Sequence, residues 1–273
     1  MQQKLTMEQY KSIDAVSNGE LLTIERNPSD YIWNKNAPTD ELKTSALDFG
    51  TMTHTALLEP ELFGKNLVIY DQTKSRETVK FAQFMKDVSK ESIVLLESEY
   101  DKLRLMVDSA KAHPTFMHYL QLFTEFEQSI TTELEGVAVK IRPDCQNNDI
   151  GLIGDLKTTA DLDAWRESVT WRNPLFTFNY GHTAAFYMDA YQAHIGKPVN
   201  EYYFLVLQKN ISLGKYPVDV VRITREECER YGFFDRVYAN LEEYKARKAS
   251  GDWLSVSNFP VFNVDNNVTV EFE

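Results

Sequence analysis

The chain has 273 residues, 43% of them hydrophobic and 12% aromatic, which excludes intrinsic disorder and leaves room for a sizeable core. A net charge of −12 argues against a broad basic face for nucleic acid, and two cysteines, Cys145 and Cys228, are too few for a disulfide framework or a four-cysteine metal site. No stretch is long and apolar enough to span a bilayer and the first residues carry no apolar run, so the expected location is a reducing cytosol.

Residues 1–46 read as short helices. Ser17 is placed to cap a stretch containing Leu21, Leu22 and Ile24, and Ser29 to cap residues 30–36 before Ala37-Pro38 ends them. Tyr31-Ile32-Trp33 reads as core, since aromatics are the largest core contributors. Over residues 45–58 a helix places Leu47, Gly50, His54, Leu57 and Leu58 near one face, so His54 points inward. Glu59-Pro60 ends it. A strand at 67–70, a polar loop at 71–77 and helices at 78–89 and 97–112 follow. Leu103, Met106 and Val107 recur at helical spacing, and His113 and His118 have no motif context.

Residues 126–133 read as a strand turning at Glu135-Gly136 into a second, where Val137, Val139 and Ile141 alternate with Ala138, Lys140 and Arg142. The stretch 140–159, KIRPDCQNNDIGLIGDLKTT, reads as a hairpin with its turn at 146–149, completing a three-stranded antiparallel meander. Asp144 and Asp155 sit on its two arms, and Lys157 leaves the same strand face as Asp155. A buried-looking strand that spends a face on Asp and Lys goes against its own composition, and such violations concentrate at functional sites. Asp-x-Lys alone is common in surface hairpins. Two carboxylates on adjacent strands can hold Mg²⁺, and a neighbouring lysine can orient a water or stabilise developing charge, which is the chemistry of phosphodiester hydrolysis.

Helices are expected at 161–171 and 180–195, the latter carrying Tyr180, Ala184, Tyr187 and Tyr191 on one stripe. Strands at 201–208 and 217–222, a long helix at 224–248 begun by Thr224, and an edge strand or oligomer contact in the tail complete the chain. No internal repeat, phosphate-cradling glycine loop or Ser-His-Asp constellation stands out. The local cations that could meet DNA are Lys35, Lys43, Lys74, Arg76, Lys80, Arg166 and Arg172.

RPD and GDLKTT, ten residues apart, resemble the PD-(D/E)xK nuclease signature. With YIWNKNAP (31–38), LDFGTMTHTALLEPELF (47–63) and AFYMDAYQAHIG (185–196), the chain resembles the RecE-type exonucleases (exonuclease VIII) over about three quarters of its length. The resemblance implies an α/β (α+β) fold: one nuclease domain whose central mixed sheet is flanked by helices. Residues 1–125 would be its mostly helical N-terminal portion, 126–223 the catalytic sheet core and 224–273 a C-terminal helix and tail. It implies His54, Asp144 and Asp155 as metal ligands with the Leu156 carbonyl as a fourth. Lys157 would orient the water, Glu127 add an acidic group and Tyr187 support the site. Mg²⁺, with Mn²⁺ as substitute, would be the cofactor. The substrate would be double-stranded DNA ends degraded 5′ to 3′ by a homotetrameric ring, in partnership with a RecT-like single-strand annealing protein in phage-type recombination. One position departs from the pattern: where the family shows Gln-x-x-x-Tyr before Tyr187, this chain has Thr183, preceded by His182. The departure and the acidic balance keep two other readings open, a RecB-like nuclease of other polarity and a catalytically weakened DNA-binding subunit. The former is weakened by the missing iron–sulfur cysteines.

Overall fold

The computed structural model of the protein describes residues 2–38, 49–65, 67–89, 92–168 and 171–256. In chain order its strands are β1 (Gln2–Gln3), β2 (Leu67–Tyr70), β3 (Ile93–Leu96), β4 (Glu125–Phe126), β5 (Ser129–Leu134), β6 (Val137–Ile141), β7 (Cys145–Asn147), β8 (Leu152–Thr159), β9 (Glu201–Gln208) and β10 (Val218–Thr224). The central sheet is mixed, in the order β10-β9-β8-β7-β4, with β8 and β9 parallel and the other pairs antiparallel. An antiparallel sheet β1-β5-β6 and a parallel pair β2-β3 complete the described strands.

The helices that cover them are α1 (Met7–Ser12), α2 (Asn18–Arg26), α3 (Pro28–Asn36), α4 (Phe49–Leu58), α5 (Val79–Asp87), α6 (Glu97–Ala112), α7 (Pro114–Leu122), α8 (Tyr180–Ile195), α9 (Arg225–Arg230) and α10 (Phe233–Ser250). β9 is buried from Tyr202 to Leu207 without a break because both faces of the sheet are covered. On one face Tyr202, Phe204 and Val206 pack with Phe186, Tyr191 and Leu241 of α8 and α10. On the other, Tyr203, Leu205 and Leu156 pack with Met52, Leu103 and Phe116 of α4, α6 and α7. The mixed sheet between helical layers is the architecture expected. No helix among the described residues is long and apolar enough to cross a membrane.

Local chemistry explains most element ends and the exceptions. Ser17 caps α2 in a reciprocal box with Glu20. The cap of α3 is Asn27, one residue before Pro28, and the Ser29 hydroxyl instead donates to the Trp253 carbonyl at 3.0 Å. Tyr31 is buried as expected, whereas Trp33 is 66% exposed. The helix expected at 224–248 is two, α9 and α10, parted where Gly232 takes a φ of +70°. That expected at 161–171 shrinks to one turn, Asp163–Arg166. The expected start of α4 at 45–48, Lys43 and the tail beyond 256 lie outside the described residues.

Candidate active site

The stretch 125–159 forms two hairpins rather than one meander. In the first, β5 and β6 are joined at Glu135 and Gly136, both with positive φ, the geometry of a tight hairpin turn. In the second, β7 pairs with β8 in the central sheet. Between the sheets both arms of the chain break at one level. On one arm Glu127 stands at φ +54°, between β4 and β5. On the other, Arg142-Pro143-Asp144 separates β6 from β7. The Glu127 amide donates to the Asp144 carbonyl at 3.1 Å, which holds the two breaks together.

That break leaves an open strand edge. β7 pairs with β8 only at residues 152–154, so the next amide facing that edge, Leu156, lacks a strand partner there. It donates instead to the Asp144 carboxylate at 2.7 Å. Because the N–H and C=O of a residue in an extended strand leave the same edge, the Leu156 carbonyl faces Asp144 too. Asp155 and Lys157 pair with Phe204 and Val206 of β9 on the sheet face that α8 covers. Gly154 makes the approach possible, since a Cβ there would lie 2.5 Å from the Tyr203 carbonyl oxygen.

Around this edge the structure brings together most of the residues the sequence singles out. His54 Nδ1 on α4 lies 3.4 Å from Asp144 Oδ2 and 3.9 Å from Glu127 Oε1. Among the described residues these three form the cluster of possible metal donors, all within 4.8 Å of one another. Asp155 is not in that cluster. Its Oδ2 is 2.9 Å from Lys157 Nζ, and its Oδ1 accepts from the Asp144 amide at 3.4 Å. Arg142 donates to Glu127 at 2.9 Å and to the Leu5 carbonyl at 2.8 Å, tying the N-terminal segment to the site. Tyr187 is half-buried beside the Arg142 backbone and the two aspartates.

Electrostatics describe a site built for added positive charge. Burial and the neighbouring Asp155 carboxylate push Asp144 up to about 7. Burial disfavours the His54 cation, but Asp144 and Glu127 outweigh it and leave the imidazole raised. Burial likewise raises Glu127, and His54 with Arg142 more than reverses it. Lys157 is held protonated by Asp155 and Asp144 against the cost of burial. The buried Tyr202 hydroxyl, beside Asp155, has no hydrogen-bond partner of normal geometry. One imidazole and converging carboxylates, with a strand-edge carbonyl facing the same side, are the donor chemistry of a divalent cation. The residues fit such a metal.

The residues around Thr183 are engaged elsewhere. Its hydroxyl donates to the Asn179 carbonyl and accepts from Asn18 Nδ2 at 2.9 Å. His182 is fully buried between Asn18 Oδ1 (2.7 Å) and Asn240 Nδ2 (3.1 Å), so it does not stand in for the family glutamine. The expected DNA-facing cations are largely neutralised: Arg76 by Glu99, Arg166 by Asp219, Arg172 by Asp161 and Glu167, and Lys35 by Glu20 and the Tyr31 ring. Lys74 and Lys80 have no ion pair among the described residues. The feature that sequence reasoning missed is the pinning of Glu127 by Arg142, because the break that joins them leaves no periodic signal.

A mixed sheet whose acidic strand ends meet at Asp144 and Asp155-Leu156-Lys157 defines the class: this is a PD-(D/E)xK nuclease fold. The chain belongs to the family described as PDDEXK-like domain of unknown function (DUF3799), which it matches over residues 16–252. A crystal structure from Eubacterium rectale, named "Putative exonuclease", aligns with a TM-score of 0.59 at 14% identity, covering 97% of this chain and 100% of that one. That likeness is one of fold. The crystal structure of SSO0001 aligns over 72% of this chain and 87% of that one at 10% identity, and its TM-score of 0.29 carries no argument. No curated protein matches the chain.

Proposed function

We propose that this protein is a Mg²⁺-dependent exodeoxyribonuclease that degrades double-stranded DNA from its ends, 5′ to 3′, with Mn²⁺ able to substitute. The observation that carries the reading is the meeting of His54, Glu127 and Asp144 beside the Asp155–Lys157 pair. His54, Asp144 and Glu127 would hold the cation, with Asp155 and the Leu156 carbonyl adjoining. When bound, the cation supplies charge neutralisation at the phosphate and lowers the pKa of a water. Lys157, kept charged by Asp155, is the residue that orients the attacking water and stabilises charge growing on the phosphate. Tyr187 supports the wall behind the carboxylates. Resemblance to RecE-type exonucleases supports the polarity, a tetrameric ring, and work beside a single-strand annealing protein in phage-type recombination, in a cytoplasmic setting.

The test is a duplex labelled at its 5′ or its 3′ end, incubated with Mg²⁺, with chelator, and with Asp155→Ala protein. Metal-dependent release from the 5′-marked end, absent from the variant, is expected. Release beginning at 3′ ends would move the protein to the RecB-like reading. Binding without release would make it a DNA-binding subunit, the reading that Thr183 in place of glutamine favours.

A further inference from the structure

Outward from Lys157 runs a short series of aromatic rings that the proposed hydrolysis leaves unused. Lys157 Nζ lies 5.5 Å from the centre of the Tyr180 ring, which stacks on Trp165 at 5.5 Å and 21°. Next to Tyr180, at 5.8 Å, is Phe178, whose side of the series ends in solvent with 64% of the residue exposed. The two steps together put the Phe178 ring no more than about 11 Å from the lysine nitrogen. That span is roughly three stacked nucleotides at 3.4 Å each along one strand.

A single exposed phenylalanine needs no explanation. This one stands on a backbone that is anchored on both sides. Its amide donates to the Pro174 carbonyl at 3.1 Å. The following Asn179 stands in the left-handed region at φ +58°, and its side-chain oxygen accepts from Arg236 Nη1 at 2.8 Å. The Asn179 carbonyl then starts α8 by accepting from the Thr183 amide at 3.0 Å. Such local strain persists only where surrounding contacts enforce it. Every base has a π-face, so an exposed ring on an anchored backbone, at this distance from the proposed phosphate-facing cation, suits a nucleobase whatever its sequence.

We infer that Phe178 is a stacking platform for a base of the strand being cut, one to three nucleotides from the phosphate at Lys157, and so sets the position of the DNA end. The inference rests on the proposed DNA cleavage. Its test measures initial rates on a long duplex, and binding of a duplex carrying 2-aminopurine near its end to Asp155→Asn protein. Phe178→Ala is expected to raise KM about 5- to 100-fold while kcat falls less than twofold. It should also abolish the quenching of 2-aminopurine and leave the melting temperature within a degree or two. Phe178→Trp should restore both readouts, and Phe178→Leu, apolar without a π-face, should not. An alanine variant indistinguishable from the parent, or a leucine variant that restores KM, would overturn the platform while leaving the nuclease standing. A parent protein that cleaves no DNA, or an Asp155→Ala protein that cleaves equally well, would remove the underlying reading instead. A change of oligomeric mass in Phe178→Ala without a change in KM would assign the ring to a contact between protein chains and overturn the inference.

Discussion

His182 shows how a polar side chain can be wholly structural on the same helix as a residue of the candidate site, Tyr187. Asn18 Oδ1 can only accept, so it fixes the proton on Nδ1, and Nε2 must then accept from the Asn240 amide. A second proton on Nε2 would face that donor. Burial, and then the Arg236 cation, lower this imidazole to about 4 from the usual 6.5. The unfolded chain therefore takes up a proton below pH 6.5 that the folded chain refuses until about pH 4. Stability from this group is complete above 6.5 and is lost as pH falls through that window, at about 1.4 kcal/mol per unit. Urea unfolding at pH 7 and pH 5 should show a smaller loss for His182→Gln than for the parent, and equal losses would refute the assignment. Glu127 gives a second prediction at this scale. It lies in the donor cluster, whereas Asp155 is engaged by Lys157, so the two should separate by assay. Calorimetric titration with Mn²⁺ should show Glu127→Gln weakening binding about tenfold or more, comparable to losing an orienting partner of a metal site. Asp155→Asn should weaken it less and yet abolish cleavage. The reverse order of metal affinities would return Asp155 to the ligand set.

Strand β8 carries the motif, and its glycine decides whether the motif can sit there. A Cβ on Gly154 would press on the Tyr203 backbone at 2.5 Å and on the Phe123 ring at 3.1 Å, contacts that backbone cannot relieve cheaply. Gly154→Ala should therefore destabilise by about 1–3 kcal/mol or more, as overpacked cores do. Gly19, in the first turn of α2 with nothing within 4 Å, is the control: Gly19→Ala should stabilise by about 0.5–1 kcal/mol. Thermal melts of the two variants moving in the same direction would contradict this. The motif strands, α6, α8 and β9 were legible because periodicity and length agree there. β3 was missed because Ile93-Val94-Leu95-Leu96 is a short continuous apolar run, which does not separate a buried parallel strand from a helix. α7 was missed because its cap is an imidazole, His113, accepting from the Phe116 amide at 3.2 Å. Of the site, Asp155 and Lys157 could be read from their strand, Asp144 from its place after Pro143 in the family motif, and His54 from its helix and that motif. The placing of Glu127 could not, since a glutamate at positive φ carries none of the glycine signal that marks such breaks.

At the scale of the whole molecule the puzzle is how the proposed DNA exonuclease would hold its substrate with a net charge of −12. The structure sharpens it, because Arg76, Arg166 and Arg172 are each paired with carboxylates, which offset their charge. An open cleft with so few available cations would release few counterions, bind weakly and let go after each cut. Encirclement by several copies removes the need for a basic face, since topology then holds the duplex while the site needs only local contacts. The ring therefore predicts two things that an open monomer does not. Light scattering should give about four times the 31.6 kDa chain mass. In a chase with excess unlabelled duplex, molecules already engaged should continue degrading long stretches, while new engagement falls steeply with added salt. A monomeric mass with cleavage that stops at the chase would rule the ring out. The duplex would then have to be held elsewhere, with the exposed lysines Lys74 and Lys80 the first to change to alanine.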